Sequence, residues 1–172
     1  MGVAAAIPDL DRLRLQRAAY AAAANVPDPE IPVVTVGDLG ILRGVELDGE
    51  NRAIARLTPT YSGCPAVVAI ELAVEAALRE AGFEPVIERV IAPAWTTDWI
   101  TAEGREKLAA YGIAPPVETG NSRRALFGET LVSCPRCGSE ATERLSEFGS
   151  TPCKAQYRCQ SCLEPFDYFK CI

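Results

Sequence analysis

The sequence predicts an α+β protein: a small two-layer domain in the order α-β-β-α-β-α, then a C-terminal all-β zinc ribbon. Three observations predict this. Across the first 112 residues, apolar positions alternate between helical and strand spacing. Two Cys-x-x-Cys pairs lie only near the C-terminus. Between the two regions, Ile113–Ala125 holds Pro115, Pro116, Gly120, Asn121 and Ser122, a linker composition. The expected boundaries are 1–112 for the first domain, 113–125 for the linker and 126–172 for the ribbon. A chain of 172 residues has room for one ordinary domain and one small one.

Residues ~9–24 read as an alanine-rich helix with Asp9 as its cap, ending at Asn25-Val26-Pro27. The stretch Asp28-Pro29-Glu30-Ile31-Pro32 cannot be helical, because its prolines hold an extended or turning path. Strands are expected over Ile41–Leu47 and Arg52–Leu57, joined by the hairpin signal Asp48-Gly49-Glu50-Asn51. A helix follows over Pro65–Ala81. Val67, Ile70, Val74, Ala77 and Ala81 are expected on its core face, with Glu71, Glu75 and Arg79 opposite and Gly82 as the stop. Residues 85–92 read as a third strand and Pro93–Trp99 as a loop with two exposed aromatics, Trp95 and Trp99. Thr101 caps a last helix that ends at Gly112. In the ribbon, strands are expected near Leu131–Ser133, Thr142–Phe148, Thr151–Arg158 and Pro165–Lys170.

Composition narrows the function. Hydrophobic residues are 48%, enough for a real core, and the net charge of −6 argues against nucleic-acid or membrane-surface binding driven by bulk charge. There is no histidine, so triads that need an imidazole base are excluded. Seven cysteines, two pairs of them in Cys-x-x-Cys spacing, favour metal binding in a reducing, cytoplasmic setting over a disulfide framework. No signal peptide or membrane span is expected.

Cys134-Pro135-Arg136-Cys137 and Cys159-Gln160-Ser161-Cys162 read as two knuckles that close a tetrahedral four-sulfur site. Zinc is the preferred ion and iron in a rubredoxin-like site the alternative. Gly138 after the first knuckle fits the rubredoxin-like site, whereas Leu163 departs from the glycine usual after the second. The surplus thiols Cys153 and Cys171 are open between metal relay, a redox pair and simple apolar filling. Cys64 lies in Thr58-Pro59-Thr60-Tyr61-Ser62-Gly63-Cys64-Pro65, a strand-to-helix turn. Placed at a helix N-terminus, its thiolate would be favoured; as a core cysteine it would be inert. Asp28, Glu30 and Asp38 lie in turns, where carboxylates beside a thiolate suit iron or simply make Asx turns.

The runs Asp28-Pro29-Glu30-Ile31-Pro32, Asp38-Leu39-Gly40-Ile41, Thr58–Pro65 and Trp95-Thr96-Thr97-Asp98-Trp99-Ile100 resemble the iron–sulfur-assembly domain family of metal–sulfur cluster carriers. The closing runs Cys134–Ser139, Glu147–Cys159 and Glu164–Ile172 resemble, more narrowly, the D subunits of phenylacetyl-CoA epoxidases. The resemblance spans nearly the whole chain. It implies a non-catalytic accessory role in aerobic phenylacetate breakdown, with a di-iron oxygenase or an iron–sulfur flavin reductase as partner. It also implies Cys64 as a transient iron or cluster ligand with Asp28 and Glu30 nearby, and Cys134, Cys137, Cys159 and Cys162 as ribbon ligands. One thiol cannot hold a [2Fe–2S] cluster, which takes four protein ligands, so a second copy, the ribbon or the client would supply the rest. The alternatives are a rubredoxin-like electron-transfer protein and a scaffolding component of the oxygenase complex.

Overall fold

The computed structural model describes residues 7–48, 51–61, 63–116 and 131–170. Cys171, the turn residues Gly49 and Glu50, and most of the expected linker lie outside them. The chain forms two compact units, Met1–Trp95 and Thr96–Ile172. No helix among the described residues is long and apolar enough to cross a membrane.

The first unit contains α1 (Ile7–Ala24), β1 (Leu42–Asp48), β2 (Arg52–Leu57), α2 (Val67–Glu80) and β3 (Glu84–Arg89). The strands form a mixed sheet in the order β1-β2-β3, with β1 antiparallel and β3 parallel to β2. The α2 crossover makes the parallel pairing possible. Alternation along β1 and β2 buries Val45, Leu47, Ala53, Ala55 and Leu57 on one face. Ile70, Val74 and Leu78 of α2 and Ala19 and Ala23 of α1 are buried in the same unit. On the other face Arg56 bridges Glu46 (2.6 Å) and Glu88 (3.0 Å), an exposed ladder across all three strands. The outer edge of β1 is covered: Arg12 donates to the Leu47 carbonyl (2.7 Å) and Gln16 to that of Val45 (2.9 Å). Helix α1 thereby removes two acceptors that would invite another strand.

The α2 pattern differs from the sequence expectation. Opposite the buried Ile70, Val74 and Leu78 stand Val68, Ala69, Leu72, Ala73 and Ala76, all exposed. Glu71 and Glu75 lie at the flank, where they pair with Arg89 and Arg79. Counting acidic residues as the outer face ignored their partners on β3 and along the helix. The loop before β1 is anchored by Gly37, whose N–H reaches the Ala24 carbonyl (3.1 Å). A Cβ on Gly37 would lie 2.9 Å from that oxygen, so glycine is required by close approach.

The second unit begins with a 3-10 turn (Thr97–Trp99) and α3 (Ala102–Tyr111). Thr101 caps α3 by accepting the Gly104 N–H at 2.9 Å, and Gly112 ends it at φ 92°. The sheet of this unit runs β4-β7-β6-β5, with β4 at Ile113–Ala114, β5 at Thr142–Ser146, β6 at Lys154–Cys159 and β7 at Pro165–Phe169. The strand expected at Leu131–Ser133 is absent, and the fourth strand is β4, parallel to β7. Tyr157, Phe166 and Tyr168 fill the centre, with ring centroids 5.6–5.9 Å apart.

Candidate metal centres

The sulfurs of Cys134, Cys137, Cys159 and Cys162 all lie within 4.8 Å of one another. Cys134 and Cys162 are 3.8 Å apart, and Cys137 and Cys159 are 3.6 Å apart. A tetrahedral ion with metal–sulfur bonds near 2.3 Å would set its sulfurs roughly 3.8 Å apart, so the four thiols fit such an ion. Each knuckle is built by backbone hydrogen bonds. Cys134 donates to Ser139 O (2.9 Å), Gly138 to Cys134 O (2.8 Å), and Cys159 to Glu164 O (3.0 Å). Ser139 and Ser161 hydroxyls join the knuckles at 2.8 Å. Gly138 has φ 74°, and Leu163, in the equivalent place of the second knuckle, has φ 65°. Leu163 thus takes the left-handed conformation that glycine usually supplies.

Crowding splits the thiols. Cys159 is drawn down to about 6 by the N–H groups of Cys162 and Ser161 against its burial, with help from neighbouring thiols. A backbone N–H from Glu164 favours the thiolate of Cys162, but desolvation and three neighbouring thiols push it up to about 12. A divalent cation would relieve this repulsion by ligating all four as thiolates. Cys153 is elsewhere. It is buried against the Thr151 hydroxyl (3.1 Å) at the start of β6, six residues from Cys159, or roughly 20 Å along a strand. Its carbonyl accepts the Lys170 N–H (3.0 Å); Cys171 lies outside the described residues.

The second centre lies at the C-terminal end of β2. Cys64 is half-buried and donates its N–H to Tyr61 O (3.2 Å). Helix α2 begins only at Val67, with Ala66 as its cap, so Cys64 and Pro65 precede it. The expected helix-terminus effect is therefore small. Burial pushes the thiol above its ordinary value, against the Ala66 N–H and the Thr60 hydroxyl. The charges of Glu30 and Asp28 push it further, which places both carboxylates in its neighbourhood. Asp28 is buried, and its Oδ1 accepts the N–H groups of Glu30 (2.9 Å) and Ile31 (2.8 Å). That Asx turn presents the half-buried Glu30. Asp38 and Thr35 make a reciprocal pair: Asp38 Oδ2 accepts the Thr35 N–H (2.9 Å), and Thr35 Oγ1 accepts the Asp38 N–H (3.0 Å). Trp95, expected to be exposed, is 4% exposed and donates Nε1–H to Leu39 O (2.8 Å).

Sequence reasoning missed two hydroxyls. Thr60 contacts the Cys64 thiol. Thr58, six residues before Cys64, has a buried Oγ1 with no hydrogen-bond partner. Such a group costs about 1–3 kcal/mol. Their only signal was four hydroxyl residues crowded into one strand-to-helix turn.

Comparisons with known proteins fall along the same two units. Residues 16–88 match the family model described as iron–sulfur cluster assembly protein. Residues 118–170 match the PaaD zinc beta ribbon domain. An Escherichia coli (strain K12) protein, provisionally named as the D subunit of 1,2-phenylacetyl-CoA epoxidase, is 53% identical over 154 residues, covering 89% of this chain and 91% of its own. The crystal structure of a domain of unknown function, DUF59, from Bacillus anthracis superposes with a TM-score of 0.54 at 25% identity. It covers 58% of this chain and 96% of that one.

Proposed function

Because the chain belongs to the family of the 1,2-phenylacetyl-CoA epoxidase D subunits, we propose that it is a non-catalytic accessory component that loads or repairs a metal centre of that epoxidase. The observation that supports this reading is that the charges of Glu30 and Asp28 act on the half-buried Cys64 thiol at one end of the first unit, although the three groups, unlike the four ribbon thiols, are not within ligating distance of one another. That unit also matches an iron–sulfur cluster assembly family. A half-buried thiol beside carboxylates suits iron or a cluster as cargo rather than as a resident cofactor. The cargo releases the thiol proton when it binds, and the raised affinity of Cys64 for that proton weakens the hold on metal. Cys64 is the sulfur ligand and Glu30 a carboxylate partner, with Asp28 fixing the Glu30 backbone through its N–H. The absence of histidine argues against a thiol enzyme, since no imidazole base is available.

In the ribbon, Cys134, Cys137, Cys159 and Cys162 hold a structural zinc. The ion would supply folding energy that the small sheet lacks. Purified protein is therefore colourless with about one zinc per chain; a red, redox-active protein would instead point to iron and electron transfer. The other components of the epoxidase are the partners. The test of the main reading is anaerobic reconstitution of Cys64→Ala. Expected is loss of iron or cluster uptake and of epoxidase activation, with zinc content unchanged. Uptake and activation equal to wild type would remove Cys64 from the mechanism.

A further inference from the structure

The solvent side of α2 is an apolar surface that nothing in its own unit covers. Val68 and Leu72 are 59% and 61% exposed, and Ala69, Ala73 and Ala76 lie between and beside them. At 100° per residue these five positions span an arc of roughly 140° that carries no charge from Val68 to Ala76; Arg79 and Glu80 enter it only in the last turn. A surface helix ordinarily carries its polar residues there. A further exposed apolar residue follows the end of β3. Arg89 of β3 holds Glu71 through two hydrogen bonds (2.8 and 2.9 Å), which brings the end of β3 against the first turns of α2. Ile91, two residues on, is 71% exposed. Cys64 lies four residues before Val68, in the turn that leads into α2, so a partner seated on this patch is brought near the thiol.

Charge identifies the kind of occupant. Residues 1–95 carry eight basic and thirteen acidic side chains, a net −5. Beside the patch Glu71 and Glu75 are offset by Arg89 and Arg79, so the excess negative charge is that of the unit as a whole, with Glu30 and Asp28 acting on Cys64. A second copy would bring a like charge against this one. A surface that is apolar at its centre and lined by lysine or arginine at its rim complements it.

We propose that the Val68–Leu72 face of α2 is the docking surface for the metal-receiving component of the epoxidase, which meets it with an apolar centre and a basic rim. This rests on the reading of Cys64 as the transfer ligand. Docking there places the client's own ligands over Cys64, so the groups that one thiol per chain lacks come from the client. The apolar contact keeps water from the exchange, and the net negative charge of the unit steers the basic client in.

The test measures binding of the full-length chain to each purified, metal-free epoxidase component at low and high salt, for wild type, Val68→Glu/Leu72→Glu and Cys64→Ala. Both patch residues are exposed, so the double variant keeps its fold, checked by circular dichroism. Expected is about tenfold or greater weakening by the double variant, with loss of activation. Its metal uptake at Cys64 should be that of wild type, and wild-type binding should weaken as salt rises. Wild-type affinity in the double variant, or binding indifferent to salt, overturns the proposal. So does a wild-type dimer in sedimentation that the double variant dissociates, since the occupant would then be a second copy. Unchanged metal uptake in Cys64→Ala sinks the transfer reading instead, and it does so whether or not the patch binds.

Discussion

In the ribbon four thiols meet within 4.8 Å, their knuckles braced by backbone hydrogen bonds and a serine pair. At the end of β2 a single half-buried thiol stands beside carboxylates, one of which already holds two backbone N–H groups. The first arrangement completes a coordination sphere from within the chain; the second leaves most of one to be supplied. A complete tetrahedral site has no position at which to accept or release cargo, so its ion serves the fold. An incomplete site binds weakly and exchanges, which is what transfer requires. On the proposed function the two centres divide the work of metal chemistry: one ion kept, another passed on.

The largest effect should come from breaking the complete site. Cys159→Ala removes the ligand that is 0% exposed and drawn lowest in its proton affinity. Structural zinc contributes on the order of 10 kcal/mol of apparent binding energy in small domains, and a sheet of four short strands cannot replace it. Hydrogen exchange should show protection lost across β5, β6 and β7 and kept across β1, β2 and β3. The same loss on adding a strong chelator to wild type would sharpen the contrast, because removing metal from Cys64 should cost the fold nothing measurable. Protection retained in the ribbon of Cys159→Ala would refute the structural role.

A smaller effect separates the two kinds of thiol by pH. Burial, then the Glu30 and Asp28 charges, hold Cys64 protonated above the ordinary thiol range. Only thiolate alkylates. In zinc-loaded protein without cargo, Cys64 should therefore react with iodoacetamide more slowly than a free thiol at neutral pH. Its rate should still be climbing at pH values where a free thiol has levelled off. Mass spectrometry of the peptide carrying Cys64 reads the rate. Replacing Glu30 by Gln removes one of the charges that raise the thiol, so the profile should move down toward ordinary values. A profile already flat at neutral pH would mean that the helix dipole prevails after all.

The ribbon was the more legible of the two sites. Its ligands announce themselves by a local spacing, two sulfurs per tight turn, that needs no knowledge of the rest of the fold. The strands β1, β2 and β3 were legible for the same reason, since alternation is a local signal, and β2 was placed residue for residue at Arg52–Leu57. What depends on distant partners was not. The sequence marks Glu71 and Glu75 as a polar face, but Arg89 comes from a strand 18 residues away and draws Glu71 to the flank, leaving Leu72 outermost. Trp95 looks like a loop aromatic until the Leu39 carbonyl, 56 residues before it, takes its N–H. The strand β4 is two residues long and visible only through its pairing with β7. Cys64 is open in the sequence between a helix-terminus thiolate and a buried thiol, and the turn Gly63–Ala66, which delays the helix by two residues, favours the second.

The smallest effect tests how far the ribbon's geometry is dictated by its ion. Both knuckles need a left-handed residue after the second cysteine, and Gly138 supplies one at φ 74° without strain. Leu163 supplies the other at φ 65°, where an L side chain clashes with the following carbonyl at a cost of about 1–2 kcal/mol. Its side chain is 61% exposed, so little packing compensates. Leu163→Gly relieves the clash but adds freedom to the unfolded chain, an opposing cost of about 0.5–1 kcal/mol. The net expectation is a ribbon more stable by about 0.5 kcal/mol, seen as a small rise in its thermal midpoint at unchanged zinc content. A variant less stable than wild type would show instead that Leu163 makes a contact worth more than its strain, and the exposed leucine would then belong to an interface rather than to the knuckle.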